Sequence, residues 1–270
     1  MSRGYGRKTR GFRLGQFSDT AETLGDEPMI YQNKYGKKIS VAVAEARAIG
    51  ISHLLKNNNK IDVILLDDVY QHRSVEVSLS ILLSTYKRPF YDDFLMPTGR
   101  LREGRTGASR ADIICFTKVP IDISNQEQDQ MIAKTRKYHS NVPIFFISVG
   151  YAPLISFGIE DAKQKVVGLA GIADNKAFKS HLESNFNIIK FYGFADHHDY
   201  KTNEIDRIIE ILAYHDAMLV TTEKDFIKLI NFKNLIAKSC FYLPIEIEFI
   251  SGQSSFLKLV EGTFKKHSKH

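Results

Sequence analysis

The chain has 270 residues, of which 43% are hydrophobic and 25% are charged, and it carries a formal net charge of +6. This length can bury a core as one large domain or as two modest ones, and the positive charge favours anionic partners such as nucleotides, nucleic acids or membrane surfaces. No run approaches the roughly 18 apolar residues of a membrane-spanning helix, so any membrane contact is expected to be peripheral.

Cys115 and Cys240 are the only cysteines, and each lies in an apolar run that predicts a core strand. A disulfide framework is therefore not expected, and a reducing cytoplasm fits this cysteine usage.

In chain order, the hydrophobic pattern predicts strands that alternate with amphipathic helices. The strands are expected at residues 38–44, 61–66, 75–84, 111–117, 143–149, 165–169, 188–193, 217–221 and 240–247. The helices are expected at residues 45–55, 126–138, 175–182, 203–212, 223–230 and 256–266. This alternation predicts an α/β protein with a mostly parallel sheet covered by helices on both faces. A loop-like composition at residues 151–164 predicts two lobes, residues 1–150 and 151–270.

The stretch IDVILLDDVYQHR, residues 61–73, is the first candidate for a functional site. Its apolar run predicts a strand buried on both faces that ends at Asp67 and Asp68. Adjacent carboxylates in that place suit a divalent cation, as in phosphate-transferring folds. The alternative is a pair of solvated aspartates that open a turn.

Polar residues follow other predicted strands, where open α/β sheets collect their ligands. Thr117 and Lys118 follow one strand, and FADHHDY, residues 194–200, follows another. The second segment could hold a metal, an Asp–His pair for proton transfer, or simply a polar loop. TTEKD, residues 221–225, is favoured as a helix start with Thr221 or Thr222 as the N-cap.

A glycine-rich stretch, residues 97–110, carries several arginines. Arg100, Arg102, Arg105 and Arg110 offer guanidinium groups that suit a phosphorylated ligand, and a mobile basic loop is the alternative. No GxxxxGK[ST] phosphate loop, no GxGxxG after a strand and no zinc-ligand spacing occurs in the sequence. The residues thus provide half of a phosphoryl-transfer site.

Eight motifs together resemble one family, the tetraacyldisaccharide 4'-kinases of lipid A synthesis, in their Bacteroidetes-type variant. They occur in the family's order and span nearly the whole chain. They are SRGYGRKTRGF (2–12), GDEP (25–28), VILLDDVYQHR (63–73), MPTGRLRE (96–103), RADIICFTK (110–118), GLAGIAD (168–174), FADHHDY (194–200) and TTEKD (221–225).

The resemblance implies a P-loop-kinase-like fold with a second, smaller α/β lobe. It also implies transfer of the ATP γ-phosphate to the 4'-hydroxyl of a tetraacyldisaccharide 1-phosphate. The enzyme would be a monomer bound peripherally to the cytoplasmic face of the inner membrane, or cytoplasmic if an N-terminal segment is its only anchor. ATP, Mg²⁺ and the acylated disaccharide lipid would be its ligands. Nucleic acid is not expected as a partner, because no interleaved aromatic and basic pattern occurs on a recognisable module.

Roles follow from the resemblance residue by residue. Asp26 would activate the hydroxyl with His197, or with His198 as the alternative partner. The implied Mg²⁺ ligands are Glu27, Asp67 and Asp68. The implied substrate and inter-lobe residues are Gln71, His72, Arg73, Arg102 and Glu103. Thr117 and Lys118 would approach the nucleotide.

Family members carry an amphipathic segment, a strand and a GGTGKT-like phosphate loop upstream of SRGYG. The first strand and the P-loop are therefore expected to be absent from this chain. We expect a truncated version of a longer kinase, with activity impaired by the loss of the P-loop. The alternative is a gene fragment or a non-catalytic, degenerate paralogue that binds glycolipid.

Overall fold

The computed structural model describes residues 1–57 and 60–267. The chain forms two compact units, each made of two stretches. The first unit contains Met1–Asp68 and Tyr151–Ile245, and the second contains Val69–Gly150 and the described residues from Glu246 onward. The sequence predicts a single boundary near residue 150, whereas the chain passes between units at three places, of which this is one.

Strands and helices alternate along the described chain. The strands are β1 (Arg13–Leu14), β2 (Ala42–Val43), β3 (Ile81–Thr85), β4 (Ile113–Thr117), β5 (Ile144–Tyr151), β6 (Ile155–Ser156), β7 (Lys165–Ala170), β8 (Asn187–Gly193), β9 (Met218–Thr222), β10 (Cys240–Leu243) and β11 (Ile245–Phe249). The α-helices are α1 (Ala21–Leu24), α2 (Asp26–Tyr35), α3 (Arg47–Asn57), α4 (Asn125–Arg136), α5 (Lys176–Asn185), α6 (Thr202–His215), α7 (Glu223–Leu229), α8 (Lys233–Ile236) and α9 (Gln253–His267). A short 3₁₀ helix covers Arg105–Arg110.

The first unit is built on a five-stranded sheet with the order β6-β10-β9-β7-β8. Its neighbours pair in parallel except at the edge, where β6 runs antiparallel to β10. Alternate side chains point to opposite faces of a strand. Val167 and Leu169 accordingly pack in the cluster that contains Ile208 of α6, while Val166 packs with Phe178 of α5. Helices therefore cover both faces of this sheet, as predicted.

The first 68 residues contribute a separate two-stranded antiparallel sheet, β1-β2. Its apolar side chains need a partner surface to be buried. Val41 and Val43 pack with Met29 of α2 and Ile227 of α7, in a cluster of their own. This burial explains why the N-terminal stretch belongs to the same unit as residues 151–245.

The second unit holds a four-stranded sheet with the order β11-β5-β4-β3, in which β3, β4 and β5 are parallel. Ile114 and Phe116 of β4 pack with Met131 of α4, while Cys115 packs on the other face with Phe256 of α9. The α/β class with mostly parallel sheets is thus confirmed in both units. Cys115 and Cys240 are free, buried strand residues, as expected.

One central prediction is wrong: residues 61–66 do not form a strand. A strand requires a backbone ladder with a neighbour. Around this segment the backbone bonds run instead to Met1, whose ammonium donates to the Leu65 carbonyl at 2.5 Å and whose carbonyl accepts from Asp67 N at 3.0 Å. Val63 and Leu65 are 45% and 75% exposed, so the run is not buried on both faces either.

Other elements differ in extent. The predicted strand at 75–84 is reduced to β3, and the one at 38–44 is reduced to β2. The predicted strand at 240–247 is two strands, β10 and β11, in different sheets. Pro244 lies between them, and proline cannot donate to a sheet ladder. Among the described residues, no helix is both long and apolar enough to span a membrane.

Candidate active site

Asp26 and His197 meet in the first unit through a 2.9 Å contact between Asp26 Oδ2 and His197 Nδ1. Asp26 is the first residue of α2 and is 8% exposed. His197 lies in the loop after β8 with a φ of +59°, a left-handed conformation that non-glycine residues seldom adopt. The two residues are 171 positions apart in sequence, so the fold alone brings them together.

His198 has different partners. Its Nε2 lies 3.0 Å from Glu204 Oε2 near the start of α6, and its ring stacks on Phe194 with centroids 4.3 Å apart. The structure therefore places His197, and not His198, against Asp26.

Two lysines of α7 contact this pair, and the sequence interpretation missed both. Lys228 Nζ lies 3.2 Å from Asp26 Oδ2. Lys224 Nζ lies 3.2 Å from His197 Nε2 and donates to Asp196 Oδ1 at 2.6 Å. The sequence signal for these two lysines is their spacing in the helix that follows the TTEKD threonines. They are four residues apart, and residues four apart share a helix face.

Asp225 of α7, which is 2% exposed, joins the ends of β7 and β9 to the loop between β8 and α6. Its Oδ2 accepts from Gly171 N at 2.9 Å and from the Thr222 hydroxyl at 2.6 Å. Its Oδ1 accepts from the Tyr200 hydroxyl at 2.7 Å. Thr222 is the N-cap of α7, because its hydroxyl also accepts from Asp225 N, as the helix-start interpretation predicted. The network fixes the loop that carries His197.

The predicted Mg²⁺ ligands Glu27, Asp67 and Asp68 also lie in the first unit. Partial removal from water and the negative charge of Asp67 raise the pKa of Glu27, while the charges of Lys224 and His197 oppose the rise. Asp67 and Asp68 lie in a bend instead of at the end of a strand, and Asp68 has a φ of +51°. Glu27 is thus a partly buried carboxyl with two neighbouring carboxylates, Asp67 and Asp68.

A closed metal cage is absent from the described residues: no three or more His, Cys, Asp or Glu side chains among them are placed to hold one ion. Mg²⁺ is usually bound through one or two carboxylates, with waters and substrate phosphates as the other ligands. One or two carboxylates among Glu27, Asp67 and Asp68 fit that mode of binding.

The predicted substrate residues Gln71, His72, Arg73, Arg102 and Glu103 belong to the second unit. Glu103 holds Arg110 Nη2 at 2.6 Å and lies 3.9 Å from Arg73 Nη2. The Arg73 side chain is 74% exposed. Gln71 and His72 are partly buried in the turn before it. Glu103 therefore forms ion pairs with two arginines of the second unit.

Asp93, which is 4% exposed, organises the arginine-rich loop that follows it. Its Oδ1 pairs with Arg88 Nη2 at 2.9 Å and accepts from Phe94 N and Arg100 N. Arg105 donates to the Asp93 carbonyl at 2.9 Å and lies over the Phe94 ring. The loop is thus tied to Asp93 through the Arg100 amide and the Arg105 side chain.

Thr117 ends β4, and its hydroxyl lies 3.5 Å from the Ser84 carbonyl. Lys118 follows with a φ of +56° and an exposed side chain. The pair thus lies at the carboxyl edge of the second sheet, where α/β folds bind ligands.

Comparison with known proteins identifies the family. The family model described as Tetraacyldisaccharide-1-P 4'-kinase matches residues 1–265. The Tetraacyldisaccharide 4'-kinase of Flavobacterium psychrophilum is 38% identical, with 96% of this chain and 76% of the relative aligned. That of Bacteroides fragilis strain YCH46 is 34% identical, with 100% of this chain and 77% of the relative aligned. The resemblance to Bacteroidetes-type enzymes is confirmed.

A solved structure also matches this fold. The crystal structure of LpxK from Aquifex aeolicus in complex with ATP superposes with a TM-score of 0.70 and 26% identity, and the match covers 97% of this chain and 78% of that one. The P-loop-kinase-like fold expected from the sequence is thereby confirmed. From its sequence motifs, its relatives and its fold, the chain belongs to the tetraacyldisaccharide-1-P 4'-kinase family of enzymes.

Proposed function

We propose that the protein transfers the γ-phosphate of ATP to the 4'-hydroxyl of a tetraacyldisaccharide 1-phosphate, a step of lipid A synthesis. Family membership and the ATP complex of the Aquifex aeolicus protein support this reaction. In this proposal the protein works as a monomer. It acts at the cytoplasmic face of the inner membrane, because its acceptor is an acylated lipid.

The contact between Asp26 and His197 is the observation that carries the proposal. A hydroxyl attacks phosphorus readily only if a base takes its proton. Asp26 accepts that proton while the 4'-oxygen bonds to the γ-phosphorus. The bond from the γ-phosphorus to the bridging oxygen breaks, and its electron pair leaves with ADP. His197 holds the carboxylate of Asp26 in place through its ring nitrogen.

One or two carboxylates among Glu27, Asp67 and Asp68 would hold Mg²⁺, because the negative charges of Asp67 and Asp68 lie near Glu27. When bound, Mg²⁺ neutralises charge on the phosphate oxygens during transfer.

The proposal also assigns the residues that bind the lipid substrate and the nucleotide. Gln71, His72, Arg73, Arg102 and Glu103 bind the acylated disaccharide 1-phosphate. The exposed guanidinium of Arg73 supports this role, because such groups form forked hydrogen bonds with phosphate. Thr117 and Lys118 approach the nucleotide.

A second candidate function is glycolipid binding without catalysis. The observation that favours it is the lack of a GxxxxGK[ST] motif in the 270 residues. A phosphate loop of that kind supplies the lysine and the amides that hold the ATP phosphates. Under this alternative the chain binds the disaccharide and does not bind Mg·ATP. Between the two candidates stands a kinase whose transfer activity is impaired.

One experiment separates the two candidates. The purified chain is incubated with Mg²⁺, ATP labelled in the γ-phosphate and tetraacyldisaccharide 1-phosphate in detergent, and the lipid product is recovered. Label on the 4'-oxygen, identified by phosphorus NMR, supports the kinase function. Calorimetry on the same protein measures the binding of each ligand. Disaccharide binding without label transfer and without Mg·ATP binding would replace the kinase by the glycolipid-binding function.

A further inference from the structure

The lysines of α7 lie on one face of a short helix. Lys224 and Lys228 are one turn apart, with side chains that are only 19% and 18% exposed. Like charges four residues apart repel one another, and partial burial removes the water that would screen them. Such an arrangement is stable only if anionic or polar partners compensate the two charges, and those partners are Asp26, Asp196 and His197.

Lys224 determines which nitrogen of His197 carries the proton. An ammonium group has three donors and no acceptor. Lys224 Nζ lies 3.2 Å from His197 Nε2, and it can donate to that nitrogen only in the tautomer in which Nε2 carries no hydrogen. The hydrogen of a neutral imidazole is then on Nδ1, from which it is donated to Asp26 Oδ2 at 2.9 Å. Donation therefore runs in one direction, from lysine to histidine to aspartate.

Lys228 acts on the same carboxylate from the other side. Its Nζ lies 3.2 Å from Asp26 Oδ2 and donates to the His198 carbonyl at 3.0 Å. The lysine thus links Asp26 to the loop that carries His197. Both partners of Asp26 use Oδ2, and neither of these two contacts uses Oδ1. The two contacts thus leave Oδ1 available to another partner.

We propose that Lys224 and Lys228 are positioning residues for the phosphate transfer. Lys224 selects the Nδ1–H tautomer of His197, and Lys228 holds Oδ2 of Asp26 so that Oδ1 receives the proton of the acceptor hydroxyl. This role rests on the proposed function, but the tautomer of His197 is a property of the protein alone.

The test uses Lys224→Met and Lys228→Met, with Lys34→Met as the matched control. Lys34 also joins α2 to α7, through a 3.1 Å ion pair with Glu223, but it contacts neither Asp26 nor His197 in the described structure. Lys224→Arg and Lys228→Arg restore a side chain that only donates. Thermal unfolding of every variant verifies that it is folded.

The first readout is the nitrogen NMR spectrum of the histidine rings, with the His197 signals assigned from a His197→Asn sample. The unsubstituted protein and Lys34→Met should show His197 protonated on Nδ1. Lys224→Met should show a mixture of tautomers or the Nε2–H form, and Lys224→Arg should return to Nδ1–H. An unchanged Nδ1–H spectrum in Lys224→Met would overturn the role of Lys224, whether or not the chain transfers phosphate.

The second readout is steady-state transfer. Lys224→Met and Lys228→Met should each lower kcat on the order of tenfold or more, with little change in either KM, since they disturb a general base worth about 10²–10⁴-fold. The arginine variants should recover much of kcat, and Lys34→Met should retain it. An equal loss of kcat in Lys34→Met and Lys228→Met would show that the two lysines act only through the packing of α7. It would overturn the role of Lys228. If the unsubstituted chain transfers no phosphate, the proposed function fails separately from the tautomer result.

Discussion

Tyr200 donates a 2.7 Å hydrogen bond from its buried hydroxyl to Asp225 Oδ1, and this bond ties the loop carrying His197 to α7. The same carboxylate accepts from the amide after β7 and from the hydroxyl at the end of β9. A single buried aspartate therefore links the carboxyl ends of β7 and β9 to the loop between β8 and α6.

Asp225→Ala should destabilise the first unit strongly. It leaves the Gly171 amide and the hydroxyls of Tyr200 and Thr222 buried without their acceptor, and each such loss costs about 1–3 kcal/mol. Urea unfolding should show a loss of at least about 3 kcal/mol in the free energy of unfolding. Asp206→Ala, at an exposed position of α6, is the control and should change it by less than about 0.5 kcal/mol. A similar small loss of unfolding free energy in both variants would show that the hydrogen bonds to Asp225 do not stabilise the unit.

Tyr200 should make the stability of the protein sensitive to alkaline pH. Burial, together with the charge and the hydrogen bond of Asp225, raises the pKa of Tyr200 in the folded protein. The unfolded chain ionises this tyrosine near pH 10, so the stabilisation is complete below about pH 10 and is lost as the pH rises further. Denaturant unfolding should show unsubstituted protein and Tyr200→Phe converging in stability above that pH. A constant difference between them would contradict the account.

Asp93 should make the stability of the second unit sensitive to acid pH. Burial alone would raise the pKa of this carboxyl, but the amides of Phe94 and Arg100 and the charge of Arg88 outweigh it and lower the pKa. A lowered folded pKa gives stability that is present above the unfolded value, about 3.9, and is lost as the pH falls below it.

Asp93→Asn should therefore reduce the stability measured by urea at pH 7 more than at pH 3. Asp92→Asn provides the matched control, because the neighbouring Asp92 pairs with Lys134 at the exposed surface. A pH-independent loss in Asp93→Asn would show that the carboxylate charge is irrelevant.

The backbone at His197 dictates how its side chain should be tested. With a φ of +59°, alanine would add strain, whereas asparagine tolerates the left-handed region. His197→Asn should therefore keep the thermal stability of the protein while reducing kcat for phosphate transfer by at least about tenfold. His197→Ala should lose stability as well. If His197→Asn retains full kcat, the histidine is not part of the catalytic pair.

The sequence predicts the strands well where an apolar run is followed by a clear helix, as for β4, β7 and β9. It fails at residues 61–66, because an apolar run predicts a strand without revealing whether a neighbour is available for its hydrogen bonds. It also fails around Pro244, because the run at residues 240–247 forms two strands, β10 and β11, in different sheets.

The sequence likewise indicates only part of the candidate site. Motifs indicate Asp26 and His197, but only the fold shows which histidine reaches the aspartate across 171 positions. Lys224, Lys228 and Asp225 were visible within TTEKD and the helix that follows it. Their partners lie on other elements, so no local pattern distinguishes them from an ordinary helix start.

The most direct test of the central claim is the rate of γ-phosphate transfer to the tetraacyldisaccharide by Asp26→Asn. This substitution keeps the size of the side chain and removes its ability to act as a base. The account predicts that kcat falls by about 10²-fold or more, while Asp206→Asn retains it. Transfer by Asp26→Asn at the rate of the unsubstituted protein would contradict the account.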